Sequence, residues 1–163
     1  MNATHSIDAF VLREVIRYCS FSHEVLESYK LAINKELLTA NRKTNSKINK
    51  HIKEINYYSI NLLEQYSIKV LSKEVLLKLL EEIDFALQTK KTFQVLTIHD
   101  CFQTHPNYSN DLRRNYNHVL AGMHRSNILQ DILRQLYRDK EYTLELFDED
   151  FYDEIIDNDY AIC

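Results

Sequence analysis

A carboxylate at the turn of a short apolar hairpin is a fixed, hard oxygen ligand facing open space, which a divalent cation needs. The stretch Thr97-Ile98-His99-Asp100-Cys101-Phe102 has that form. Before it, Phe93-Gln94-Val95-Leu96-Thr97-Ile98 is β-branched and aromatic, and it reads as a buried strand. The chain then reverses at His99-Asp100 and returns through Cys101-Phe102. Phosphoryl transfer with two metals uses such carboxylates to hold Mg²⁺ on the attacking and leaving oxygens. A single aspartate does not hold a pair of ions, so a second carboxylate has to come from another segment. The plainer reading is that Asp100 is a turn residue, a common place for aspartate.

Other chemistry is thinly represented. Cys19, Cys101 and Cys163 are odd in number and lack a CxxC pair, which argues against a disulfide framework and a structural zinc site. His99 and His105, or His118 and His124, do not have the usual ligand spacings. Gly122 is the only glycine and Pro106 the only proline, so neither GxGxxG nor GxxxxGK[ST] can be written. Rossmann and P-loop enzymes are thereby excluded. Ser6 beside His5 has no activating arrangement. Arg42, Lys43, Lys47, Lys50 and Lys53 follow one another with no acidic residue between them. They form either a phosphate-contacting face or an ordinary solvated helix surface. Arg113-Arg114 and Arg134 with Arg138 are equally open to both readings, and tyrosines such as Tyr116 on helical stripes read as core.

The elements that must position these groups are mostly helical. Phe10, Val11, Val15 and Tyr18 share one helical face. Ser22 is placed to cap a helix whose stripe is Leu26, Tyr29, Ile33 and Leu37, with Glu24 in its first turn. Ile48, Ile52, Ile55, Leu62 and Tyr66 continue at helical spacing, as do Leu76, Leu79, Ile83 and Leu87 after Ser72. Ser109 or Asn110 is expected to cap a helix with Leu112, Tyr116, Val119 and Met123, and Ser126 one with Leu129, Leu133 and Leu136. All 20 Lys and Arg lie at or before Lys140, whereas the tail beyond it carries nine acidic residues. Leu144, Phe147, Phe151 and Ile155 make that tail amphipathic, so it is expected to dock. The expected fold is mainly α with one β-hairpin (α+β), and the hairpin's further sheet partners must come from elsewhere.

Ile98-His99-Asp100-Cys101-Phe102, with Pro106 shortly after, resembles palm motif C of single-subunit phage and mitochondrial RNA polymerases. His5-Ser6-Ile7-Asp8 followed by Leu12-Arg13 resembles the HSxD segment of that family, which leads into a helix before motif C. The end, Ile155-Ile156-Asp157-Asn158-Asp159-Tyr160-Ala161-Ile162-Cys163, is similar to the family's terminal foot. The resemblance implies the later half of a polymerase palm with a helical insertion. Segment 1–21 would be the HSxD segment and palm helix, 22–91 the insertion, and 92–163 the hairpin, following helices and foot. It implies that Asp100 binds Mg²⁺ and that His99 positions the hairpin or nearby phosphates. His5, Asp8 and Arg13 would line the RNA–DNA hybrid, and Tyr160 and Cys163 would form the foot. Lys43, Lys47 and Lys50 are then candidates for nucleic-acid contact.

Ala9 and Gln103 stand where the family usually has glycine, and Ile162-Cys163 replaces its aromatic-small ending. The family's first metal-binding aspartate and its Lys/Arg/Tyr fingers helix have no counterpart. The expectation is therefore a natural subunit of a split RNA polymerase, or a fragment of a longer one, inactive alone. Its partners would be a second subunit carrying the other carboxylate and the fingers, DNA template, RNA product and nucleoside triphosphates, without a membrane. It would work in the cytoplasm, the host's if the protein is viral. The rival expectation is a non-catalytic helical interaction or regulatory protein that retains a polymerase-like remnant.

Overall fold

Hydrophobic stripes recurring every three to four residues, with almost no glycine or proline to interrupt them, force a chain into helices whose striped faces must be buried. A computed structural model shows this outcome: a mainly helical protein with one small antiparallel sheet. It describes residues 3–89, 91–98, 101–144 and 151–158. The chain divides into two compact units. The first takes Met1–Cys19, Ile55–Tyr57 and Phe93–Cys163, and the second takes Ser20–Glu54 and Tyr58–Thr92. No helix among the described residues is long and apolar enough to cross a membrane.

The first unit opens with α1 (Ala3–Ser20). This helix starts well before the Phe10 stripe, because Ile7 stands one turn ahead of Val11 and continues it, and no breaker intervenes. His5 to Asp8 thus lie within the helix rather than ahead of it. Val11, Val15 and Tyr18 are buried. They belong to a core that also holds Leu112, Val119 and Ala121 from α6 (Ser109–Arg125). Wholly buried Asn115 on α6 reaches Cys19 Sγ with its Nδ2 at 3.4 Å. The end of α1 is also tied to Phe93, whose N–H donates to the Cys19 carbonyl at 3.0 Å. Phe93 in turn stacks on Tyr108, centroids 4.9 Å apart.

The single glycine has a steric reason. A Cβ on Gly122 would stand 3.3 Å from Tyr57 Cε2, closer than ordinary van der Waals contact. Tyr57 also packs edge-on against Phe10 at 5.3 Å. The short segment carrying Tyr57 is held at both ends of a turn. Asn127 N–H donates to the Ile55 carbonyl at 2.7 Å, and Asn56 Nδ2 donates to the Arg125 carbonyl at 3.2 Å. Asn56 has φ +52°, a left-handed conformation that asparagine tolerates better than most residues.

Antiparallel strands β1 (Leu96–Ile98) and β2 (Cys101–Gln103) pair Ile98 with Cys101 and Leu96 with Gln103. The strand expected over 93–98 is therefore only its last three residues. It is not buried: Leu96 is 65% and Ile98 56% exposed. A 3₁₀ turn at Pro106–Tyr108, capped by His105 accepting from Asn107 N–H, leads into α6, whose N-cap is Tyr108 without a side-chain cap bond; the expected cap residues Ser109 and Asn110 lie inside the helix. Ser109 instead donates back to the Pro106 carbonyl. Ser126 ends α6 and accepts from Ile128 N–H at 3.4 Å, while Asn127 stands at the N-cap of α7 (Ile128–Tyr137). The acidic tail forms α8 (Phe151–Asp157), which packs on α6.

The second unit contains α2 (His23–Leu37), α3 (Ser46–Ile55), α4 (Asn61–Gln65), a 3₁₀ turn at Ile68–Val70 and α5 (Lys73–Leu87). Ser22 Oγ accepts from Val25 N–H and Ser72 Oγ from Val75 N–H, so each hydroxyl satisfies an orphan donor of the first turn. Leu26 and Ile33 of α2 are buried, as are Val75, Leu76, Leu79 and Ile83 of the α5 they face. Each such side chain contributes about 1.5–3 kcal/mol on burial. The stripe from Ile48 to Tyr66 is broken after Ile55, so α3 and α4 are separate helices.

Burial pushes the Cys19 thiol up to about 11 against an ordinary 9.0, the Asn115 hydrogen bond opposing the shift and nearby Asp111 adding to it. The neutral thiol is thus favoured in the folded state. Its contribution is complete below pH 9.0 and is lost as pH rises towards 11. The loss is on the order of 2 kcal/mol. Chemical-denaturation curves from pH 8 to 11 are expected to fall more steeply for the native chain than for Cys19→Ala, and parallel slopes would rule out this burial effect.

Candidate active site

Helical spacing decides which residues of the segment His5–Asp8 lie on one face. His5, Asp8 and Leu12 stand at i, i+3 and i+7 of α1, one above another on a single face. On α6, Tyr116, Leu120 and Met123 stand at i, i+4 and i+7. These two faces, with Phe102 of β2, line a cavity of about 600 Å³ in the first unit. Phe102 meets Tyr116 edge-on, with ring centroids 5.5 Å apart. The hairpin strand that follows Asp100 in sequence is thereby anchored to α6.

The cavity is apolar along its walls and polar where it meets solvent. Leu12, Phe102, Tyr116, Leu120 and Met123 are half-buried, whereas His5 and Asp8 are exposed. A carboxylate and an imidazole at an open rim are available to cations, phosphates or a proton in transit. Residues nearly 100 positions apart in the chain, Asp8 and Phe102, therefore share one cavity. Arg13 does not join them. It stands five residues beyond Asp8, about 140° further round the helix at 100° per residue, and is exposed away from the lining.

His99 and Asp100 lie outside the described residues, as do Tyr160 and Cys163, which were expected to form a terminal foot. Lys43, Lys47 and Lys50 are exposed and belong to the second unit. Arg42 has a different role from the rest of its basic run. Its side chain is 9% exposed, pairs with Glu36, and donates to the carbonyls of Ile68 and Leu71. Among the described residues no three His, Cys, Asp or Glu side chains gather as a metal-holding group. By residue type an aspartate such as Asp100 is a hard oxygen donor of the kind Mg²⁺ takes, and one aspartate alone does not make a two-metal set.

Tyr116, Leu120 and Met123 were not legible as cavity residues. Their spacing matches that of a core stripe, and periodicity does not separate a face covered by protein from one lining a void. The tail is fixed next to this site by polar as well as apolar contacts. Asn117 on α6 donates to the carbonyls of Ile156 and Asn158 at 3.3 and 2.9 Å, satisfying acceptors at the C-terminal end of α8. The Arg125 guanidinium lies 3.3 Å from the Tyr152 ring centroid, and His124 meets Phe151 edge-on at 5.3 Å.

Compared with known families and proteins, the chain matches no family model and no curated sequence.

Asn117→Ala leaves the two tail carbonyls without their donor, a loss of about 1–3 kcal/mol. Limited proteolysis should then cut within α8 several-fold faster than in the native chain, with α1 and α6 still protected. An unchanged cleavage rate would show that Asn117 does not hold the tail.

Proposed function

We propose that the chain is the carboxy-terminal palm portion of a single-subunit, phage-type RNA polymerase, contributing one catalytic metal ligand to nucleotidyl transfer. The observation that carries this reading is the shared cavity. His5 and Asp8 of the HSxD-like segment open onto the same space as Phe102 of the motif-C-like hairpin. These segments were singled out separately in the sequence, and a palm requires them to meet.

Asp100 would hold Mg²⁺, which when bound neutralises charge developing on the oxygens of the transferring phosphate. His99 would steady the hairpin or a nearby phosphate. At the cavity rim His5 and Asp8 would face the hybrid and its 3′ end, where an imidazole can donate to a phosphate or hydroxyl oxygen. By the same resemblance, Tyr160 and Cys163 would form the terminal foot of that enzyme.

Exposure of the hairpin supports a missing partner. A two-stranded sheet is marginal by itself, and an exposed edge with Leu96 and Ile98 is a template for further strands. In the proposed enzyme a second polypeptide, or an upstream region of a longer chain, covers that edge and carries the other metal-binding aspartate and the nucleotide-gripping fingers. Substrates are nucleoside triphosphates and the product RNA copied from DNA, made in the cytoplasm.

Asp100→Ala is expected to reduce template-directed RNA synthesis by the assembled enzyme at least 1,000-fold, an effect on the order of 4 kcal/mol in the transition state. Thermal unfolding should be unchanged, because the substitution removes a metal ligand rather than a core contact. Synthesis that persists in that variant would remove Asp100 from the metal site and favour a non-catalytic interaction protein.

A further inference from the structure

Between α2 and α3 the chain makes a loop that is built rather than loose. Arg42 turns inward and binds Glu36 at 3.3 Å, the Ile68 carbonyl at 3.1 Å and the Leu71 carbonyl at 2.7 Å. Three residues later Asn45 N–H donates to the Val70 carbonyl at 2.9 Å. Asn45 Oδ1 accepts from the N–H groups of Lys47 and Ile48, so it caps α3. Buried Asn49 completes the brace, donating to the Asn45 and Val70 carbonyls and accepting from Ser72 N–H. One member of the basic run is thus consumed internally to hold the others in place.

Lys43 directly follows the anchored Arg42, three residues ahead of α3, and is exposed. Lys47, Lys50 and His51 stand exposed at i, i+3 and i+4 of one face. Lys43 and Lys47 have no ion pair among the described residues. Lys50 reaches Glu54 at 3.6 Å with both side chains mostly in solvent, an arrangement worth little and easily exchanged for another anion. Thr44, Ser46, Lys50 and Lys53 border a surface depression of about 440 Å³ that Glu54 also lines, so hydroxyl donors stand beside two ammonium groups there. The positive end of the α3 dipole points the same way. The second unit carries 12 Lys and Arg against nine Asp and Glu, while the first carries eight against 15.

We infer that the braced loop and the first turns of α3 form a nucleic-acid surface that grips the phosphate backbone, without base specificity, through Lys43, Lys47 and Lys50. Flexible ammonium stems with small hydroxyls suit a row of phosphates, and release of condensed counterions drives such binding. This surface does not depend on the polymerase reading, since it lies wholly within the second unit.

The test is fluorescence anisotropy of the full chain with labelled 20-nucleotide RNA and DNA between 50 and 200 mM salt. Lys43→Glu/Lys47→Glu/Lys50→Glu is expected to bind at least tenfold more weakly. It should also lower the slope of log K against log salt by about 2, each contact contributing roughly 0.7–0.9. A control with Lys35→Glu/Lys78→Glu/Lys91→Glu has the same net charge and should lose less than half as much in log units. Circular dichroism melts would establish that both variants fold. Absence of salt-dependent binding by the native chain, or equal losses in both variants, would overturn the inference. Displacement of the nucleic acid by poly-glutamate at equal charge concentration would overturn it in favour of an acidic protein partner. Asp100→Ala should bind as the native chain does, so a failed polymerase reading leaves this result standing.

Discussion

Helix α6 has to satisfy four different neighbours within 17 residues, and the first unit depends on how its faces are shared out. Leu112, Asn115 and Val119 are buried on one side, with Asn115 reaching Cys19 at the end of α1. Tyr116, Leu120 and Met123 line the cavity, and Tyr116 receives the hairpin through Phe102. Asn117 holds the carbonyls at the end of α8. Gly122 leaves room for Tyr57. A residue shift of one along such a helix turns every side chain by about 100°, so none of these contacts survives alone. Polar groups do much of the orienting. A buried amide left without its partner costs about 1–3 kcal/mol, which apolar packing by itself does not impose on the wrong register.

Much of this fold is legible in the residues. Helical periodicity and the cap residues Ser22 and Ser72 mark the second unit, and the tail does carry a helix that packs on α6, although Phe151 stays 47% exposed and Phe147 lies outside the described residues. Less legible was whatever depends on distant partners. The apolar run Phe93–Ile98 looks like a buried strand, yet its last residues, Leu96 and Ile98, are exposed. A side chain's own chemistry does not reveal which surface will cover it. Arg42 illustrates the converse. It sits in a basic run and looks solvated, but carbonyls more than 25 residues away draw it inside.

The candidate site divides along the same line. That His5, Asp8 and Leu12 share a face follows from spacing alone, as does the exclusion of Arg13 from it. That this face meets Phe102 required the fold, because only the packing of α1 and the hairpin around α6 brings them to one cavity. Both polar groups at the rim are solvent-facing, and the strand beside them lacks a covering partner among the described residues. A metal-dependent polymerase site needs enclosure, a second carboxylate and a nucleotide grip. In the proposed enzyme all three would come from another polypeptide segment that covers the exposed hairpin.

The most direct measurement is a native pull-down of the chain with stoichiometric partners identified by mass spectrometry. The account predicts a one-to-one partner carrying an aspartate-bearing palm segment and a Lys/Arg/Tyr fingers helix, or the recovery of this segment within a longer chain that carries both. A chain recovered by itself, and inert with nucleotides, template and Mg²⁺, would contradict the claim that it is one part of a working polymerase.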